Sequence, residues 1–159
     1  MKGLLLLMLV AGCASYDDGR GLVPGQSTAA DVEAVMGPAA DKRPAAGGET
    51  VYYYPSLPFG YATYAARIAP DGKLIALEQR LTPENMDKLK PGVTRAEEML
   101  DLLGPPYRPM KQATSGDEIW TYPFLVPGFR LPRWFVARIS PDGILREKDT
   151  IDDPTRGRR

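Results

Sequence analysis

The chain opens on an unbroken apolar run, Leu4 to Val10, with only Met1-Lys2-Gly3 before it. Seven residues of helix rise about 10 Å against a bilayer core of roughly 30 Å, so the run predicts a secretory signal rather than a membrane span. Further on, hydrophobic positions recur at helical spacing twice: Ala29, Val32, Val35 and Met36, then Ala96, Met99, Leu100 and Leu103. Each set predicts one amphipathic helix. Ser27 and Thr94 stand where N-caps belong, Thr94 with Glu97 as a capping box, and Gly37-Pro38 and Gly104-Pro105 supply the stops. Thr82-Pro83 predicts an extra short helix with Met86 and Leu89 facing inward. Alternation of apolar and polar residues predicts strands over 50–54, 62–69 and 73–80, and again over 118–122, 133–140 and 144–151. Pro70-Asp71-Gly72 and Pro141-Asp142-Gly143 are tight hairpin signals, because Pro presets φ and Gly accepts a positive one. Residues 39–48 (AADKRPAAGG) read as a loop, and 81–90 as the connection between halves.

The elements therefore come in the same order twice. Leu22-Val23-Pro24-Gly25 returns as Leu89-Lys90-Pro91-Gly92, 67 positions on, and Gly37-Pro38 as Gly104-Pro105 at the same interval. Val51 to Pro55 returns as Ile119 to Pro123 after 68 positions, and Arg67 to Gly72 as Arg138 to Gly143 after 71. The interval grows only between matched blocks, as loop insertions would make it. The expected fold class is α+β: tandem units, each a helix or helix pair plus a three-stranded antiparallel meander, with helices layered on sheet. The expected divisions are a signal peptide over 1–12, a lipidated tether over 13–21, one unit over 22–81, a second over 82–153 and a basic tail over 154–159.

Composition narrows the chemistry. Lys plus Arg total 20 and Asp plus Glu total 20, so the basic excess of a nucleic-acid binder is missing. There is no histidine and one cysteine, which removes a Ser-His-Asp triad, a Cys-His dyad, histidine-ligated zinc and an internal disulfide. Asp152-Asp153 and Glu97-Glu98 lack a metal-site pattern. The expectation is a protein that is not an enzyme, with no catalytic residues, no metal and no cofactor beyond a covalent lipid.

That lipid is expected at Cys13. Val10-Ala11-Gly12-Cys13 resembles the lipobox of bacterial lipoproteins. The resemblance implies a diacylglycerol thioether on Cys13, cleavage before it and acylation of the new amine. Ala14 and Ser15 follow where inner-membrane lipoproteins commonly carry Asp, which implies the outer membrane, facing the periplasm. Taken with Pro-Gly-x-Ser/Thr, an amphipathic helix, Gly-Pro, an aromatic strand and an Asp-Gly hairpin, the chain resembles the SmpA/OmlA (BamE-like) outer-membrane lipoprotein family over about residues 22–152. In that family the unit occurs once. Its tandem form here is similar in architecture to the β-lactamase inhibitory protein. The first resemblance implies a non-enzymatic accessory to outer-membrane β-barrel assembly or envelope integrity. The second implies an inhibitor-like module that captures a periplasmic protein with its tandem sheet and apolar loops. The lipobox implies a membrane contact through the lipid, and both resemblances imply a protein partner.

Candidate contact residues follow from strand alternation. Tyr52 and Tyr54 share one face, as do Trp120 and Tyr122, and the latter two are expected to pack the core. Phe135, Ala137 and Ile139, with Tyr64, Ala66 and Ile68, are expected to face the helices. That leaves Trp134, Val136 and Arg138, with Arg67, for an open face. Two apolar segments at equivalent places, 56–61 and 124–132, read as loops carrying Phe59, Tyr61, Phe124 and Phe129. Such loops form a contact patch or membrane-dipping edge, or fold back over the end of the sheet. Arg156, Arg158 and Arg159 could touch anionic lipid.

Overall fold

The computed structural model describes residues 18–155. Cys13, the expected signal peptide and the arginine tail lie outside the described residues. The first element, α1 (Ala29–Met36), is followed by β1 (Asp41–Pro44), β2 (Thr50–Pro55), β3 (Thr63–Ile68) and β4 (Leu74–Gln79). Then come α2 (Pro83–Lys88), α3 (Ala96–Leu103), β5 (Tyr107–Lys111), β6 (Glu118–Val126), β7 (Leu131–Ile139) and β8 (Leu145–Asp152).

The expected α+β class is wrong. The described residues are mostly β: two four-stranded antiparallel sheets, ordered β1-β2-β3-β4 and β5-β6-β7-β8, with α-helices of only eight, six and eight residues among them. Each expected three-stranded meander carries a fourth strand on its first edge. Residues 39–48 were expected as a loop, yet Asp41 to Pro44 pair with Tyr53 to Thr50. Their charges and proline are compatible with an edge strand, which is bonded on one side only. β5 hides for the same reason: Pro109 sits where the β5–β6 register shifts between Tyr107 and Met110, and Arg108 has φ 47°. The second apolar loop is largely strand as well. β6 runs through Phe124 to Val126, and β7 starts at Leu131. Pro123 lies past the last β5 partner of β6, Thr121, where β6 has only β7 beside it.

The caps sit one residue later than expected. Thr28 caps α1: its hydroxyl accepts the Asp31 N–H at 3.2 Å, and the Asp31 carboxylate accepts the Thr28 N–H at 2.7 Å. At α3 the Arg95 N–H donates to the Glu98 carboxylate at 2.7 Å. Ser27 and Thr94 instead close the preceding Pro-Gly turns, accepting the N–H of Val23 at 2.9 Å and of Lys90 at 2.8 Å. Each turn is stitched to its own sheet the same way. Gly25 donates to Leu74 O and Gly92 to Leu145 O, while Ala29 donates to Gly72 O and Ala96 to Gly143 O.

Each sheet buries one face beneath its helices. Val32 and Met36 pack on Tyr54, Ala66, Ile68 and Leu74. Met86, Met99 and Leu103 pack on Trp120, Tyr122, Phe124, Phe135, Ala137 and Ile139. A third small cluster, Val51, Tyr53 and Ala65, occupies the opposite face of the first sheet. It is covered from the second half: the Tyr53 hydroxyl donates to Asp101 O at 2.5 Å. From β1, Arg43 reaches Asp101 and Glu97 of α3, each at 2.5 Å. The back of the first sheet is thus an interface inside the molecule.

Candidate functional site

Among the described residues, no helix covers the corresponding face of the second sheet. Thr121 and Pro123 of β6, Tyr107 and Met110 of β5 and Trp134 of β7 form its floor. The β2–β3 turn of the first half leans over it with Leu57, Pro58, Gly60 and Tyr61, while Asp153 and Thr155 close one end. The result is a mainly apolar cleft of about 420 Å³. Trp134 and Tyr107 meet edge to face, with ring centroids 6.5 Å apart at 88°, a favoured aromatic geometry. At the rim, the Tyr61 hydroxyl and Asp153 lie 3.1 Å apart, and Asp153 accepts the Thr155 N–H at 2.8 Å. The cleft is therefore a product of both halves.

The candidate residues divide among different environments. Trp134 and Tyr61 are half-buried in the cleft wall. Phe59 and Phe129 are exposed, at 89% and 83%. Phe124 is not a loop residue: it is 4% exposed, in the core under α2 and α3. The inward face of β6 turns it there, in step with Trp120 and Tyr122.

Arg67 and Arg138 are engaged within the molecule. Arg67 holds Glu49 at 2.8 Å, and Arg138 holds Asp117 at 2.8 Å and Glu147 at 2.6 Å. The carboxylates raise both guanidinium pKa values above the ordinary one, with Glu49 first for Arg67 and Glu147 first for Arg138. Glu49–Arg67 and Asp117–Arg138 occupy equivalent places, each tying the start of β2 or β6 to the end of β3 or β7. They read as a repeated sheet clamp.

Sequence reasoning reached Trp134 but missed most of the cleft floor. Tyr107, Met110 and Pro123 fell outside the expected strands, although a proline-punctuated apolar stretch, Pro105-Pro106-Tyr107-Arg108-Pro109-Met110, was legible there. Among the described residues, no three His, Cys, Asp or Glu are placed to hold a metal ion, and no helix is long and apolar enough to cross a membrane.

The fold and cleft define a class, a mostly-β chain of two like sheets with one aromatic cleft between halves. No protein-family model matches the chain, and no curated protein does. Among solved structures it is similar to a DUF4309 family protein (YjgB) from Bacillus subtilis subsp. subtilis str. 168, at 20% identity over 86% of each chain, with a TM-score of 0.33. A likeness that slight carries no argument about fold or function.

Proposed function

We propose that this chain is a lipid-anchored envelope protein that works by binding another protein rather than by catalysis. In this reading Cys13 carries the lipid, the body faces the periplasm from the outer membrane, and the partner belongs to β-barrel assembly or envelope maintenance. The observation that carries the binding reading is the cleft. Trp134 and Tyr107 line it beside Leu57, Pro58, Met110 and Pro123. Aromatic, proline and methionine surfaces of this kind receive apolar side chains of a partner. The signal-like run and lipobox support the location.

A photocrosslinking amino acid replacing Trp134, in cells with intact envelopes, tests the reading. The expected result is an adduct with an outer-membrane assembly component. An adduct with a soluble periplasmic enzyme would select the inhibitor-like reading instead. No protein adduct from position 134, with the chain present and exported, would overturn the cleft as a binding site. Trp134→Ala should weaken recovery of the same partner about 30-fold or more, the range for an aromatic anchor worth 2 kcal/mol or more.

A further inference from the structure

We infer that the β2–β3 turn, residues 56–61, lies on the lipid surface, with the Phe59 ring in the boundary between headgroups and acyl chains. The inference rests on the proposal that Cys13 carries lipid. It names a contact that the anchor alone does not specify: which end of the fold meets the membrane.

The side chains of the turn suit such a surface. No charged residue occurs from Pro55 to Ala66. Pro58 and Phe59 are exposed at the apex, Phe59 at 89%. An apolar group that enters the headgroup boundary by about 5–10 Å leaves water without needing a protein partner.

The backbone suits it too. Ser56 N–H donates to Ala62 O at 2.9 Å, Phe59 N–H to Ser56 O at 3.1 Å, and Ala62 N–H to the Ser56 hydroxyl at 3.0 Å. The same hydroxyl donates to Ala62 O at 2.9 Å. These amide hydrogens already have partners, so bringing the turn into a drier medium strands none of them. Ordering costs are low as well, because the turn is closed before contact.

The position of the anchor supplies the direction. Gly19 is buried, close against the Leu77 side chain, and Leu22 N–H donates to Gly19 O at 3.1 Å. The fold therefore grips the chain from Gly19 onward. Asp18 borders a hollow of about 250 Å³ together with Ser56, Gly60 and Tyr61 of the turn and Ala62 just after it. Cys13 is five residues earlier, and five residues span at most about 18 Å. A lipid on Cys13 thus holds this end of the molecule near the bilayer. Lys73, across the Pro-Asp-Gly hairpin at the other end of β3, is about 20 Å away along a six-residue strand. One exposed phenylalanine gives little membrane affinity by itself, but beside an anchor its insertion is intramolecular and draws on a high effective concentration.

Cysteine labelling tests this. The chain has one cysteine, and in the lipidated protein its thiol is consumed, so Phe59→Cys or Lys73→Cys provides the sole reactive thiol. The full lipidated chain carries an environment-sensitive fluorophore at one position or the other, in vesicles of phosphatidylethanolamine and phosphatidylglycerol. Intact mass reports the lipid on Cys13, and flotation reports the anchor. The expected result is a blue shift at position 59, with quenching by lipids spin-labelled near the top of the acyl chain, and a water-like spectrum at position 73. A water-like spectrum at 59 in protein that floats and has the lipid mass would overturn the inference while leaving the anchor intact. A blue shift at 59 that needs added envelope protein and resists lipid quenching would assign the turn to a protein partner and also overturn it. Absence of the lipid mass would defeat the anchor reading, and this inference with it.

Discussion

Tyr122 is completely buried, and its hydroxyl donates to Gly104 O at 3.2 Å. Burial pushes its pKa far above the ordinary tyrosine value; the buried Tyr53 and Tyr54 hydroxyls shift the same way for the same leading cause. Their ionised forms would have to shed hydration inside the sheet. In the unfolded chain these phenols ionise near pH 10. Above that pH the unfolded state holds fewer protons than the folded one, so stability falls as pH rises. Chemical denaturation should show their contribution fully present below about pH 10 and lost progressively above it. Tyr122→Phe should cost about 0.5–1.5 kcal/mol at pH 8 through the lost hydrogen bond, and should flatten the alkaline decline. A decline as steep as in the parent protein would show that Tyr122 is not its source.

At the scale of elements, the β6–β7 hairpin decides what its phenylalanines do. Nine residues of β6 run from Glu118 to Val126, and strand alternation sends Phe124 inward. Phe129 stands at the tip, beyond the last paired residues, Val126 and Leu131. The equivalent β2–β3 connection in the first half is a turn, with Phe59 at its apex. Phe124→Ala should therefore cost about 3–5 kcal/mol, as deletion of a buried aromatic does. Phe59→Ala and Phe129→Ala should each change stability by less than about 0.5 kcal/mol. Thermal or denaturant unfolding of the three variants checks the ranking, and a large loss at position 59 would place that ring in a core contact. The edge strands show the opposite relation between sequence and element. β1 and β5 look like loops because proline and charge fill them, and pairing with β2 and β6 makes them strands.

At the scale of the whole molecule, the two halves meet asymmetrically. The end of α3 packs on the back of the first sheet, while the back of the second sheet keeps the cleft. Gly104 stands at the contact with φ 81°, and a Cβ there would lie 2.8 Å from Tyr53 Cδ1 and 3.0 Å from Thr63 Cγ2. Gly92 has a similar φ, 79°, with nothing within 4 Å of its Cβ direction. An alanine is strained at both positions, but only at 104 does it also push the halves apart. Gly104→Ala should thus destabilise by about 1–3 kcal/mol more than Gly92→Ala. Denaturant unfolding of the two variants checks it; equal losses would argue against tight packing at the interface. Arg43 bridges the same interface through Asp101 and Glu97. Its pKa is raised first by Asp101, so the pairing persists wherever these carboxylates are ionised.

Local chemistry was enough to read several features from the sequence. Pro-Asp-Gly turns, Gly-Pro helix stops, the Thr82-Pro83 helix start and the inward faces of the aromatic strands depend on neighbours a few residues away. The structure places β2, β3 and β4, and β6, β7 and β8, close to where alternation put them, although β6 and β7 run further into the apolar segment 124–132. At α1 the cap position slipped by one because Ser27 and Thr28 are both good capping residues, and only the bonds of the Pro-Gly turn assign each its role; at α3 the same turn takes Thr94, which leaves the cap to Arg95. The mostly-β class was out of reach for a related reason. Edge strands are held by hydrogen bonds to a partner strand, and main-chain pairing leaves little trace in side-chain pattern. Phe124, Arg67 and Arg138 had the right residue types for a contact surface, but burial and ion pairing depend on what tertiary structure brings against them. The cleft is the extreme case. Its roof and floor come from different halves of the chain, so its existence depends on how the two halves pack.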